Sequence, residues 1–159
     1  MERLEGAGSR IKSRALLLGD LEQAVVPDGP PSELAVIGFP GLKAFLEASR
    51  LEMATAWEAT SLLQRLGARF TRVVPPEARL YASRRGEFCA LAPAEPKVNW
   101  MRVSTALDDE LLMTPVRSAL VVVALPGEAT TAAGALRLGD QRLRAQSGPL
   151  RPGRESGAL

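Results

Sequence analysis

Apolar residues along this chain follow two rhythms, one recurring every three to four positions and one of short continuous runs. Their alternation predicts an order of elements. Leu17, Leu18, Leu21, Ala24 and Val25 recur at helical spacing, so a helix is predicted over about 11–26, stopped by Pro27-Asp28-Gly29-Pro30-Pro31. Leu34-Ala35-Val36-Ile37 reads as a strand covered on both faces, and Gly38-Phe39-Pro40-Gly41 forces a turn after it. A second helical region begins near Leu42. Ala59, Leu62, Leu63 and Leu66 keep its rhythm, Met53 and Trp57 are expected in its core contacts, and Gly67 is expected to close it. Phe70 to Val74 and a Pro75-Pro76 break follow. A hairpin is then predicted over 79–92, from Arg79-Leu80-Tyr81-Ala82 and Phe88-Cys89-Ala90-Leu91. Trp100, Val103, Leu107 and Leu111 place one apolar stripe on a third helix, ended before Pro115. Ser118 to Leu125 holds Val121-Val122-Val123, the most strand-like run of the chain. A last helix runs from a cap at Thr130 or Thr131 to about Ala145, with Ala132, Leu136, Gly139 and Leu143 inward.

Strands alternating with helices, with one central hairpin, indicate an α/β chain folded as an α+β sandwich. The expected architecture is a central mixed β-sheet of about five strands flanked by helices. The expected organisation is a flexible N-terminal segment over 1–10, one domain over 11–147, and a disordered Arg/Pro/Gly tail over 148–159.

Composition narrows the chemistry. The 159 residues are 46% hydrophobic, enough for one core, and the net charge is only +2. No dense Lys/Arg block with interleaved aromatics points to nucleic acid, and no nucleic-acid partner is expected. There is no histidine, which removes Ser-His-Asp and Cys-His catalysis and histidine-ligated zinc. The single cysteine, Cys89, sits in an apolar strand-like run and is expected to be a buried small hydrophobe. The longest apolar run, Ala119 to Leu125, is far short of the roughly 20 residues a membrane helix needs. No membrane partner is therefore expected, and the expected location is cytoplasmic. Asp108-Asp109-Glu110 are consecutive on a helix, do not converge on one metal, and read as a solvated face. Arg142, Arg144, Arg151 and Arg154 make the C-terminal part basic.

Four stretches carry a resemblance. They are Ser13 to Leu21, Leu34 to Lys43 (LAVIGFPGLK), the hairpin Arg84-Arg85-Gly86-Glu87-Phe88, and Leu136 to Leu143. In this order and spacing they resemble the opening helix, first strand and turn, signature hairpin and closing helix of the diguanylate cyclase (GGDEF) domain, over about residues 12–148. The resemblance implies the nucleotide-cyclase-like GGDEF fold.

It also implies lost catalysis. The family holds two Mg²⁺ ions and GTP phosphates with carboxylates, as hard cations require. The positions of those acids are Gly38, Pro40 and Gly86 here, and Glu87 alone remains of the cluster. The guanine-reading positions fall at about Leu46 and Thr55, and the product-inhibition stretch falls on Pro75-Pro76-Glu77-Ala78, without its Arg and Asp. No catalytic residue, metal site or cofactor is expected. The implied role is a pseudoenzyme: a regulatory protein-interaction module in bacterial signalling, with a protein partner or self-association. Phe39, Arg84 and Arg85 are the candidate partner contacts. The alternative is a non-catalytic sensor of GTP or cyclic di-GMP using Lys43, Arg84, Arg85 and Arg151.

Overall fold

The computed structural model of the chain describes residues 10–51, 55–83 and 86–146. Among them, five strands form one sheet in the order β1-β3-β4-β2-β5. They are β1 (Ile11–Lys12), β2 (Ser32–Gly38), β3 (Arg79–Ala82), β4 (Phe88–Pro93) and β5 (Ala119–Leu125). β1 runs parallel to β3 and every other neighbouring pair is antiparallel, so the sheet is mixed as expected. Helices α1 (Arg14–Ala24) and α5 (Ala132–Gln146) cover one face. Helices α2 (Leu42–Leu51), α3 (Thr55–Val73) and α4 (Trp100–Asp109) cover the other.

The continuous apolar run of β2 has the meaning expected of it. Leu34 and Val36 pack toward α1 and α5, while Ala35 and Ile37 pack toward α3 and α4. A central strand with helices on both faces has no polar side to show. β5 is also sandwiched, with Val121 and Val123 buried on the α1/α5 side and Val122 partly buried on the other. Ser118 Oγ and Ser104 lie 2.7 Å apart and tie the start of this strand to α4.

Local chemistry sets the helix starts. Ser13 is extended (φ −77, ψ 163) and its Oγ accepts the Leu16 N–H. Asn99 does the same for Arg102 at 3.1 Å, and Thr131, one of the two expected caps, accepts the Gly134 N–H at 2.9 Å. The first helix is therefore shorter than the expected 11–26. Ile11 and Lys12 instead pair with Leu80 and Tyr81 as β1. Arg10 locks that strand in place: its guanidinium donates to the carbonyls of Thr71 (2.5 Å), Val74 (3.0 Å), Ala78 (3.3 Å) and Pro75. The last carbonyls of a helix lack intrahelical partners, and a cation there also meets the favourable end of the helix dipole.

Gly67 does not end a helix. α3 continues through it to Val73 because Phe70 and Val74 have core positions to fill, and packing outweighs the modest helix penalty of one glycine. The single helical region expected from Leu42 divides into α2 and α3. Met53 and the side chain of Trp57 lie outside the described residues. The acids at the end of α4 are more than a solvated face. Asp108 accepts the Ser118 N–H at 2.7 Å, and Glu110 accepts two bonds from Arg69 at 3.1 and 2.7 Å.

Candidate functional site

The chain changes direction most sharply where β2 ends. Gly38 is its last residue, Phe39 and Pro40 turn the backbone, Gly41 takes a positive φ of 86° that favours glycine, and α2 starts at Leu42. The β3–β4 hairpin comes alongside. Ile37 pairs with Phe88, and the Ser83 N–H donates to the Glu87 carbonyl at 3.1 Å. Gly86 in that turn has φ 78°. Helix α5 approaches from the other face: a Cβ built on Gly38 would lie 2.9 Å from Leu143 Cδ2 and 3.7 Å from Glu87 Cγ. The end of β2, the hairpin acid and the closing helix thus meet at one point, with no side chain on Gly38 between them.

Beside that point is a cleft of about 300 Å³ on the α1/α5 face. Arg14 and Leu18 line it from α1, Ser83 and Glu87 from the hairpin, and Leu136, Arg137 and Asp140 from α5. Arg14 donates to Ser83 Oγ at 2.9 Å, which ties the start of α1 to the hairpin. Asp140 lies 3.8 Å from Arg144 one turn on. The Arg137 side chain is exposed and makes no hydrogen bond or ion pair among the described residues. Below the cleft Cys89 is fully buried, as expected. Burial pushes its thiol up to about 12, against a smaller opposing hydrogen bond from Ser83, so it is not a nucleophile at neutral pH. Among the described residues no three Cys, Asp or Glu side chains gather into a group able to hold a metal ion.

The residues singled out in the sequence fare differently. Lys43 lies in the first turn of α2, is exposed and has no ion-pair partner among the described residues. Phe39, expected as a partner contact, is only 7% exposed. It packs edge-on against Phe88 with ring centres 6.1 Å apart, so its ring belongs to the core. Alternation explains this: Phe39 continues the Ala35, Ile37 side of β2. Arg84, Arg85 and Arg151 lie outside the described residues. Arg142 is not a free basic group, since it is bonded to Glu128 and to the Val122 carbonyl. Leu46, at a guanine-reading position, is partly buried against the α3/α4 core. Sequence reasoning did not name Arg14 or Arg137. The available signal was the polar flank Arg137, Asp140 on α5, three residues apart and thus on one helix face.

Comparison with solved structures assigns this architecture. The isolated GGDEF domain of TpbB (also called YfiN) from Pseudomonas aeruginosa superposes with a TM-score of 0.69 at 16% identity, over 89% of this chain and 87% of that one. The chain has a GGDEF-like fold. The GGDEF domain of DgcB from Caulobacter crescentus, solved in complex with cyclic di-GMP, matches with a TM-score of 0.62 at 16% identity, over 85% and 84% of the two chains. A sensory box/GGDEF family protein from the same organism gives 0.62 at 18% identity, over 84% and 91%. No protein-family model matches the chain, and no curated protein matches it in sequence. Gly38, Glu87 and Leu143, from three of the resembling stretches, meet at one point, and Arg14 and Leu18 of the fourth line the cleft beside it. Among the described residues no helix is long and apolar enough to cross a membrane.

Proposed function

We propose that this chain is a diguanylate-cyclase-like domain that makes no cyclic di-GMP and acts in bacterial signalling as a regulatory protein-interaction module. One observation carries the reading: the end of β2 offers no carboxylate. Gly38, Phe39, Pro40 and Gly41 supply only backbone, Gly86 occupies the hairpin turn, and Leu143 lies where a side chain on Gly38 would project. Two magnesium ions on a triphosphate need several hard oxygen ligands, and Glu87 alone does not fit that requirement. The site therefore lacks the ligands that metal-assisted phosphoryl transfer needs. The absence of histidine leaves no imidazole as a general base. What remains is a fold presenting a hairpin, a cleft and the exposed cations Lys43 and Arg137, and that favours recognition over turnover. The GGDEF-like fold supports a setting in cyclic di-GMP signalling.

The direct test is incubation with GTP and Mg²⁺ followed by chromatography for cyclic di-GMP. No product is expected, and appreciable product sinks the pseudoenzyme reading. A second reading, a non-catalytic nucleotide sensor, is favoured by Lys43, exposed in the first turn of α2 where backbone N–H groups also point outward. Calorimetric titration with GTP and with cyclic di-GMP separates the two. Micromolar binding that is lost in Lys43→Ala, or in Arg84→Ala with Arg85→Ala, selects the sensor. No heat with either ligand leaves the interaction module.

A further inference from the structure

Among the described residues β5 lies at the edge of the sheet and pairs only with β2. Its seven residues, Ala119-Leu120-Val121-Val122-Val123-Ala124-Leu125, carry neither charge nor proline. Such a strand at an open edge is a template for strand addition. In an antiparallel pair, alternate residues turn their N–H and C=O away from the partner. Here those residues are Leu120, Val122 and Ala124.

Side chains close this edge. The Leu120 N–H donates to Gln146 Oε1 at 3.0 Å, and the Leu120 carbonyl accepts from Gln146 Nε2 at 3.3 Å. Arg142 donates to the Val122 carbonyl at 2.7 Å. The Ala124 N–H donates to Glu128 Oε1 at 2.9 Å, and the Ala124 carbonyl accepts the Glu128 N–H at 2.8 Å. Arg142 and Glu128 are joined to each other by two further bonds, at 2.9 and 2.7 Å. Of the outward backbone groups of these three residues, only the Val122 N–H has no partner among the described residues. One amide pair, one guanidinium and one carboxylate stand in for the strand that would otherwise pair here.

We propose that Glu128, Arg142 and Gln146 form a clamp over a self-pairing edge, and that without it two copies of this chain join their β5 strands antiparallel about a two-fold axis at Val122. The occupant follows from the strand itself. Its three central residues are all valine and its flanking positions hold only alanine and leucine, so it is apolar read in either direction. With Val122 opposite Val122, Val121 meets Val123, Leu120 meets Ala124 and Ala119 meets Leu125, with no like charges opposed. A two-fold interface must be self-complementary in this way. The proposal does not depend on any nucleotide chemistry.

The test is light scattering on the native chain and on the variant carrying Glu128→Ala, Arg142→Ala and Gln146→Ala, across rising concentration. The variant's mass is expected to double relative to the native chain. Adding Val122→Pro is expected to return it to native behaviour, because an outward N–H is where an edge strand tolerates proline and where the central pairing bond would form. Pairing that survives Val122→Pro, or a folded variant that never pairs, overturns the proposal. If the triple alanine variant does not fold, the variant carrying Glu128→Ser, Arg142→Ser and Gln146→Ser, polar but too short to reach the strand, is read by hydrogen exchange. The Leu120 amide should exchange roughly tenfold faster in dilute solution and regain protection as concentration rises. Failure to regain protection overturns the proposal as well.

Discussion

The two faces of the sheet are built from different material. Against α2, α3 and α4 the sheet packs rings: Phe70 and Phe88 stack at 4.8 Å, and Phe39 meets Phe88 edge-on. Trp100 is 8% exposed there and donates its indole N–H to Glu33 at 2.8 Å. Against α1 and α5 the sheet packs one ring, Tyr81, and aliphatic side chains, with small groups where α5 lies closest. Ala132, Ala135 and Gly139 face it from α5, and a Cβ on Gly139 would sit 2.8 Å from Val36 Cγ2. The first face is held by large buried area and is damaged by removing atoms. The second also depends on close approach where α5 crosses the sheet, and is damaged there by adding them. The cleft opens on the second face, and Glu87 and Asp140 line it.

The sharpest way to break this contrast is to delete a ring. Phe70→Ala on the aromatic face is expected to cost about 3–5 kcal/mol, through lost transfer energy and the cavity left behind. Denaturant unfolding measures it, and a loss below about 1 kcal/mol would remove the claim that rings dominate this face.

Adding atoms to the other face comes next. Gly139→Val is expected to cost about 1–3 kcal/mol by overpacking against Val36. Val36→Ala in the same chain should return part of that loss, so the two substitutions should be non-additive. Strict additivity would mean the faces do not differ in this way.

Tyr81 sharpens the comparison from the polar side. It is fully buried on the α1/α5 face and its hydroxyl donates to Asp20 Oδ2 at 2.5 Å. Burial, reinforced by the bond to Asp20, raises its pKa well above the ordinary phenol value. Tyr81→Phe is expected to cost about 1–2 kcal/mol. A spectrophotometric titration should show Tyr81 ionising only as the protein unfolds, and reversible ionisation near pH 10 in the folded chain would contradict this environment.

The smallest effect belongs to the exposed clamp. The Arg142 guanidinium, followed by the Ala124 N–H, holds the Glu128 carboxyl down to about 2 from its ordinary 4.5. The folded-state value is the lower one. Its contribution is therefore present above pH 4.5 and lost as the pH falls toward 2. Because the pair is exposed and screened, a few tenths of a kcal/mol is the expected size. Glu128→Gln should flatten that part of the acid-unfolding curve slightly, and an unchanged curve would show that the bond adds nothing measurable.

Much of this architecture was legible in the pattern alone. Period 2 and period 3.6 are consequences of backbone geometry, so β2, the hairpin, α4, β5 and α5 emerged close to their observed limits. The exceptions share a cause. Gly67 reads as a stop because an isolated glycine disfavours helix, but Phe70 and Val74 have core positions that keep α3 going. Ile11 and Lys12 fit a helical rhythm, yet β3 offered them an edge and Arg10 a set of free carbonyls. Phe39 was expected at a partner surface because the resemblance puts it on the former active-site face, whereas its side of the strand faces the aromatic core.

The sequence by itself therefore determined the fold class, the missing histidine, the glycine and proline where β2 ends, and a buried inert cysteine. These depend on residue identity and short-range periodicity. Only the tertiary structure decided that Leu143 reaches Gly38, that Arg14 meets the hairpin at Ser83, and that Gln146, Arg142 and Glu128 seal the edge of β5. Those pairs, other than the Glu128 contact to Ala124, join residues from about 20 to about 105 positions apart. Their meeting is set by how helices lie across a sheet, and local periodicity carries no information about that.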